Sequence, residues 1–281
     1  MAWHSRLRRE ADERYRSELV AQPGKEFPMS ASFSLEGKVA LVTGASRGLG
    51  EAIAMSYAAE GAPVVLCSRR QEGLDAVAEK IAAAGGKAVP IACHTGKGEM
   101  IDALFDRVTD ELGRVDVLVN NAATNPYFGP MIDIPEAAFD KTFEVNVKGY
   151  FFMAQKAAKI MVDQGSGSII NIASIAGLNP PPMQGVYAIT KSAVIMMSKA
   201  FASELGGAGV RCNAICPGLI ETKFAQVLID TPDMLNWFIE KTPLGRHGQP
   251  NELVGAALLL ASDAGSYVNG AVLTIDGGFS I

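Results

Sequence analysis

A doubly wound α/β fold with a seven-stranded, mostly or wholly parallel sheet is the architecture this sequence predicts. Three observations carry it. From Lys38 onward, short β-branched or aliphatic runs alternate with longer segments of helical period. The short runs are apolar at nearly every position, as strands buried on both faces must be. No repeat, linker or low-complexity tract divides residues 30 to 281, so one domain is expected there.

The expected strands are Val39 to Val42, Pro63 to Cys67, Ala88 to Ala92, Val115 to Asn120, Ser168 to Ile172, Arg211 to Cys216 and Ala271 to Ile275. The expected helices cover 48–60, 71–84, 98–112, 136–163, 185–206 and 250–262. Right-handed crossovers then stack the helices on both faces of the sheet. Residues 1–28 stand apart, with six basic and five acidic side chains and few aliphatics, and read as a charged extension outside the core. They lack the apolar stretch of a secretory signal, and Glu10, Asp12, Glu13 and Glu18 argue against a transit peptide. Met29 is an alternative start, which would make the domain 29–281.

The chain has 281 residues, is 48% hydrophobic and 20% charged, and carries a formal net charge of -5. That composition excludes a disordered chain, a collagen and a disulfide mini-scaffold. Without a cationic field, nucleic acid and anionic lipid are not expected as partners. No apolar run reaches the 18 or so residues of a membrane span. Cys67, Cys93, Cys212 and Cys216 lie in apolar stretches without paired spacing, which suits reduced thiols and a cytoplasmic location. His4, His94 and His247 are too scattered to form a metal-ligand set, so no metal is expected.

The first strand runs straight into Thr43-Gly44-Ala45-Ser46-Arg47-Gly48-Leu49-Gly50 and then into a helix. Glycines let the backbone turn and approach a pyrophosphate closely, and the helix amino terminus offers free N–H groups and a positive dipole end. A dinucleotide site in a Rossmann-type fold follows, although the spacing is GxxxGxG rather than GxGxxG. The acid that would hold a ribose 2′-hydroxyl is absent. Ser68 stands in its place, followed by Arg69, which with Arg47 can clamp a 2′-phosphate. NADP(H) is therefore expected over NAD(H).

Tyr187 and Lys191 stand four apart, one turn of one helix face. A fixed cation beside a phenol favours phenolate and lowers its pKa toward the working range, so Tyr187 can exchange a proton. Ser174 follows the fifth strand at the carboxyl edge, where open α/β sheets bind ligands. Asn146, inside the long helix, and Asn120 and Asn121, at the end of the fourth strand, face the same edge.

With those residues in place the chain resembles the short-chain dehydrogenase/reductase family over roughly residues 35 to 278. The resemblance rests on TGASRGLG at 43–50, NNAA at 120–123, Asn146, Ser174, YAITK at 187–191, and Pro217-Gly218 followed by Thr222. It implies that Tyr187 is the general acid/base, that Lys191 lowers its pKa and holds the nicotinamide ribose, that Ser174 steadies the substrate oxygen and that Asn146 anchors a proton relay. It places Gly44, Ser46, Arg47, Gly48, Leu49, Gly50, Ser68, Arg69, Asn121, Ala122, Pro217, Gly218, Ile220 and Thr222 at the cofactor, and implies a homo-oligomer, as a tetramer. Two positions depart from the family pattern: His94 stands near an expected adenine-holding acid, and Ala123 replaces the last residue of NNAG.

The substrate is expected to meet Ser174 and Tyr187, with Tyr127 and Met183 beside them, under a loop region spanning about 217–247 that carries Trp237 and Phe238. These side chains suit an apolar carbonyl compound reduced to, or formed from, an alcohol. A 3-oxoacyl-carrier-protein reductase and a noncatalytic NADP(H)-binding sensor or scaffold stand as alternatives.

Overall fold

A computed structural model describes residues 32–281; the expected extension over 1–28, and Met29 with it, lie outside the described residues. Seven strands form one sheet in the order β3-β2-β1-β4-β5-β6-β7: β1 Ala40–Thr43, β2 Val64–Ser68, β3 Ala88–Ala92, β4 Val117–Asn120, β5 Gly167–Ile172, β6 Val210–Pro217 and β7 Val272–Ile275. Every pairing is parallel. The order reverses between β1 and β4, which opens a crevice at the carboxyl ends of those strands.

Alternate residues of β1 show how the sheet is covered on both sides. Ala40 and Val42 join a core built with Ile53 and Tyr57 of α1 (Gly48–Ala59), Leu74 and Val77 of α2 (Gln71–Ala83) and the later helix near Ala257. Val39 and Leu41 face the opposite core, made with α3 (Gly98–Leu112) and with Met153 and Ala157 further along the chain. In α3 the buried residues Ile101, Leu104, Phe105 and Val108 form one stripe at helical spacing, and the helix stops at Gly113, whose φ of 71° is left-handed.

The sequence predicts one helix over 136–163. The structure divides it into α4 (Glu136–Phe143), a π-helical turn (Glu144–Gly149) and α5 (Tyr150–Gln164). The backbone stays in the right-handed helical region throughout, so the turn is an inserted bulge rather than a break. Its physical reason is Asn146, which the bulge delivers to polar partners on two other segments.

Helix α6 (Gly185–Leu205) packs beside α5, and the chain then adds α7 (Gln226–Ile229) and α8 (Pro232–Lys241), neither of which the sequence reading identified. A 3-10 turn (Pro250–Leu253) leads into α9 (Val254–Ala261), so the last expected helix is shorter and begins with a tighter turn. The Tyr57 hydroxyl donates to the Ala257 carbonyl at 2.8 Å and ties α1 to α9.

Candidate active site

The Thr43 hydroxyl and the Asn121 amide tie the start of the glycine loop to the end of β4. Thr43 Oγ1 accepts from the backbone N–H groups of Asn121 (2.8 Å) and Ala122 (3.0 Å) and donates to the Val119 carbonyl (3.2 Å). Asn121 Nδ2 donates to the Thr43 carbonyl at 2.9 Å. Asn121 therefore holds the floor of the loop with its side chain. Gly44 has a φ of 67°, and a Cβ there would stand 2.6 Å from that same amide nitrogen, so only glycine fits.

Helix α1 starts at Gly48 with Arg47 as its N-cap residue and no side-chain cap. The first N–H groups, among them those of Gly48, Leu49 and Gly50, have no helical acceptor, which fits a site for a pyrophosphate. Ser46 packs against Gly73 in the first turn of α2, where a Cβ would lie 3.0 Å from that of Ser46. Ser46 thus brings the glycine loop, with Arg47 next in it, against the helix that follows the Ser68-Arg69-Arg70 segment at the end of β2. Beyond it, His94 Nε2 lies 3.0 Å from Lys141 Nζ. Burial first, then the cations Lys141 and Arg69, hold the His94 imidazole below its usual value.

Three predicted residues meet at the carboxyl end of β5. Ser174 caps a 3-10 turn (Ile175–Gly177), its Oγ accepting from the Ala176 N–H at 3.1 Å. That turn lies directly on the backbone of α6, since a Cβ at Gly177 would stand 2.6 Å from the carbonyl carbon of Lys191. Tyr187, in the first turn of α6, is 7% exposed, and Lys191, one turn on, is 1% exposed. Contrary to the expected lowering by Lys191, burial pushes the Tyr187 phenol well above its usual value, and it is the facing Ser174 hydroxyl that draws it down. Burial brings the Lys191 ammonium down to about 7.

Lys191 Nζ donates to the Ile172 carbonyl at 2.7 Å and to the Tyr150 hydroxyl at 3.3 Å, and lies 5.7 Å from the centre of the Tyr187 ring. Phenol and ammonium share one buried space. Cys216 of β6 adjoins it: burial raises its thiol to about 11, against the opposing pull of Ser174 and Lys191.

Asn146 is fully buried, and its amide is engaged on both ends. Its Oδ1 accepts from the Thr124 N–H at 2.8 Å, and its Nδ2 donates to the Thr124 carbonyl (2.9 Å) and to Thr190 Oγ1 (3.2 Å). The residue locks the loop after β4 to the helix that carries Tyr187.

Pro217 ends β6 opposite Ile275 of β7, and the next residue, Gly218, donates its N–H to the Ile275 carbonyl at 3.0 Å. Ile220 bridges to Gly248, and the Thr222 methyl would lie 3.2 Å from a Cβ at Gly48, so the lid begins against the glycine loop. Phe224, next in the lid, sets its ring 5.8 Å from that of Tyr187. Further on, Trp237 and Phe238 of α8 pack on Phe279, at 5.7 Å and 5.3 Å between ring centres. Asp276 fixes that tail by accepting from the Gly278 (2.9 Å) and Ser280 (2.8 Å) N–H groups.

The two side chains expected beside the substrate differ. Tyr127 turns its hydroxyl back to its own loop, onto the Pro130 carbonyl at 2.9 Å, so its polar end is already engaged. Met183 has a left-handed φ of 68°, unusual outside glycine, and its carbonyl accepts from the Gly129 N–H at 3.0 Å. That bond joins the loop after β4 to the segment that leads into α6. Thr43, Tyr150, Cys216 and Phe224 were missed. For Tyr150 the only available signal was its place four residues after Asn146, which means nothing until the bulge is known.

Residues 44–280 match the family model described as Enoyl-(Acyl carrier protein) reductase. The chain is 38% identical over 247 residues to a 3-oxoacyl-(acyl-carrier-protein) reductase of Thermotoga maritima, covering 88% of this chain and 99% of that protein. Among solved structures it is similar to a short-chain type dehydrogenase/reductase from Mycobacterium marinum, with a TM-score of 0.84 and 41% identity over 88% of this chain and 97% of that one. It is likewise similar to a gluconate 5-dehydrogenase from Burkholderia cenocepacia in complex with NADP and tartrate, with a TM-score of 0.85 and 34% identity over 88% of this chain and 97% of that one. By sequence, by sheet order and by the residues gathered at the sheet's carboxyl edge, the chain belongs to the short-chain dehydrogenase/reductase family and is an oxidoreductase that binds a nicotinamide cofactor.

Proposed function

We propose that this oxidoreductase uses NADP(H) to interconvert an apolar ketone or aldehyde and its alcohol, with Tyr187 as general acid/base. The observation that carries the reading is the meeting of Ser174, Tyr187 and Lys191 at the carboxyl end of β5. Bound across the glycine loop, the reduced nicotinamide supplies the hydride. Tyr187 gives its proton to the carbonyl oxygen, and Ser174 donates a hydrogen bond to that oxygen as negative charge gathers there. Burial favours the protonated phenol, which is the form that reduction needs. Lys191 stabilises the phenolate left behind, and Asn146 keeps α6 in register with the loop after β4.

Arg47 and Arg69 support NADP(H), as does the missing acid at Ser68; the Burkholderia relative was solved with NADP. The rim supports an apolar substrate. Leu178, Met183, Phe224 and Val227 are 40%, 40%, 52% and 62% exposed there. From 221 to 241 the lid carries Glu221, Asp230, Asp233 and Glu240 against Lys223 and Lys241, a balance that disfavours docking of an acidic carrier protein. The four cysteines are free and buried, in keeping with a cytoplasmic location, and a tetramer is the proposed assembly. No helix among the described residues is long and apolar enough to cross a membrane.

Initial rates over a panel of neutral ketones and an acetoacetyl thioester, each with NADPH and with NADH, test this reading. Turnover of apolar ketones with NADPH preferred is the expected result. Preference for the thioester would move the assignment to a 3-oxoacyl reductase, and nucleotide binding without turnover would favour a sensor.

A further inference from the structure

Two phenols, not one, flank the buried ammonium. Tyr150, the first residue of α5, is 2% exposed, and Lys191 Nζ sits 4.9 Å from its ring centre. Its hydroxyl donates to the Ile172 carbonyl at 3.1 Å and accepts from Lys191 Nζ at 3.3 Å, while the same carbonyl accepts from Nζ at 2.7 Å. Hydroxyl, ammonium and carbonyl close a triangle. Two of the three ammonium donors are thereby committed to the protein, which leaves one for another acceptor.

The backbone of Tyr150 is itself fixed by a chain of buried amides. Asn120 Nδ2 donates to the Tyr150 carbonyl (3.1 Å) and to Asn171 Oδ1 (3.0 Å), and Asn171 Nδ2 donates to Ser198 Oγ at 2.9 Å. A phenylalanine would fill the same space with no polar atom to satisfy. The hydroxyl therefore owes its place to the carbonyl and the amine rather than to packing.

We propose that Tyr150 is a positioning residue: its hydroxyl holds the Lys191 ammonium at the end of β5, and through it favours the charged amine beside Tyr187, without touching the substrate. The proposal rests on the reading of Tyr187 and Lys191 given above. The other groups facing this trio are Cys216 from β6 and the Ser174 hydroxyl from the end of β5. Burial keeps Tyr150 protonated, so it acts as a neutral dipole and not as a second charge. Accepting a hydrogen bond from the ammonium favours the charged amine, and its loss lowers the proton affinity of Lys191.

The test follows the amine directly. In protein labelled with carbon-13 at lysine Cε, the Lys191 signal, assigned by its absence in Lys191→Met, is expected to titrate near neutral pH, well below the ordinary lysine range. In Tyr150→Phe its midpoint is expected to fall by roughly half to one pH unit, a three- to tenfold loss of proton affinity. Tyr150→Leu, which likewise removes the acceptor, must move it the same way. With a ketone substrate and NADPH, Tyr150→Phe is expected to lower kcat several-fold while KM stays within twofold. An unchanged or raised Lys191 midpoint in both variants overturns the proposal. That outcome is independent of turnover, whereas a Tyr187→Phe variant that keeps its activity would sink the catalytic reading and leave the titration to decide the role of Tyr150.

Discussion

Replacing Thr43 by valine removes one oxygen and leaves the shape of the side chain nearly unchanged. Thr43 is 1% exposed, and its hydroxyl uses its full capacity: one hydrogen donated to Val119, two accepted from Asn121 and Ala122. In Thr43→Val two backbone N–H groups lose their acceptor. An unsatisfied buried donor costs about 1–3 kcal/mol. Asn121 and Ala122 are only half-buried, so the low end applies to each, and the sum is about 2–3 kcal/mol. At about 2–4 °C per kcal/mol for a domain of this size, the thermal midpoint falls by roughly 4–12 °C. Thr43→Ser keeps the hydroxyl and serves as the control, with a loss below about 1.5 kcal/mol from one buried methyl. Calorimetry on the three proteins, with nucleotide titrations alongside, reads both effects, and NADPH binding is expected to weaken several-fold in the valine variant only. A valine variant within about 0.5 kcal/mol of the parent, the range of an ordinary surface change, would refute the role assigned to this hydroxyl.

Other perturbations probe the ends of the crevice. Arg69→Ala is expected to weaken NADPH binding roughly 10- to 100-fold, the loss of a charge-assisted hydrogen bond to phosphate, and to leave NADH unchanged; parallel nucleotide titrations decide. Burial brings Lys191 down to about 7 in the folded chain and is absent in the unfolded one, so between 7 and the ordinary lysine value the unfolded chain is expected to bind more protons. Its contribution to stability therefore rises with pH across that window and is lost as pH falls through 7; denaturant unfolding at both ends should show this slope in the parent and its absence in Lys191→Met. Phe279→Ala removes the ring against which Trp237 and Phe238 rest, and is expected to raise the ketone KM about three- to tenfold from aromatic contacts of about 0.5–1.5 kcal/mol each, with the NADPH Kd unchanged.

What was legible in the sequence follows from the range of the interactions involved. The five inner strands could be read because they are buried on both faces and so are apolar at nearly every position, the half-buried edge strands β3 and β7 keep enough of that pattern, and the seven expected runs correspond to β1 through β7. The turn from β1 into α1 was readable because a tight approach to Asn121 admits only glycine at Gly44. Tyr187 and Lys191 were paired by helical period alone, and they do occupy one buried space. The period says nothing of what else enters that space. Tyr150 arrives there through a π-helical turn in a segment whose composition reads as unbroken helix, and Cys216 arrives from a strand 29 residues beyond Tyr187. Tyr127 was expected beside the substrate with no account of its hydroxyl, because its hydrogen bond to Pro130 belongs to loop geometry, which side-chain type does not encode. The lid helices α7 and α8 lie in a stretch where short polar and apolar runs mix, and their anchor, Phe279, stands near the far end of the chain.

The account turns on proton transfer from Tyr187, and a single-turnover experiment with Tyr187→Phe addresses it most directly. Enzyme loaded with NADPH is mixed with an apolar ketone, and alcohol formed and nucleotide oxidised are measured together in the parent and the variant. The parent should yield the two products in equal amounts, whereas the variant should bind NADPH within about twofold of the parent yet form alcohol at least about a hundredfold more slowly, the lower range for a lost general acid. A variant that reduces the ketone at near-parental rate would contradict the account.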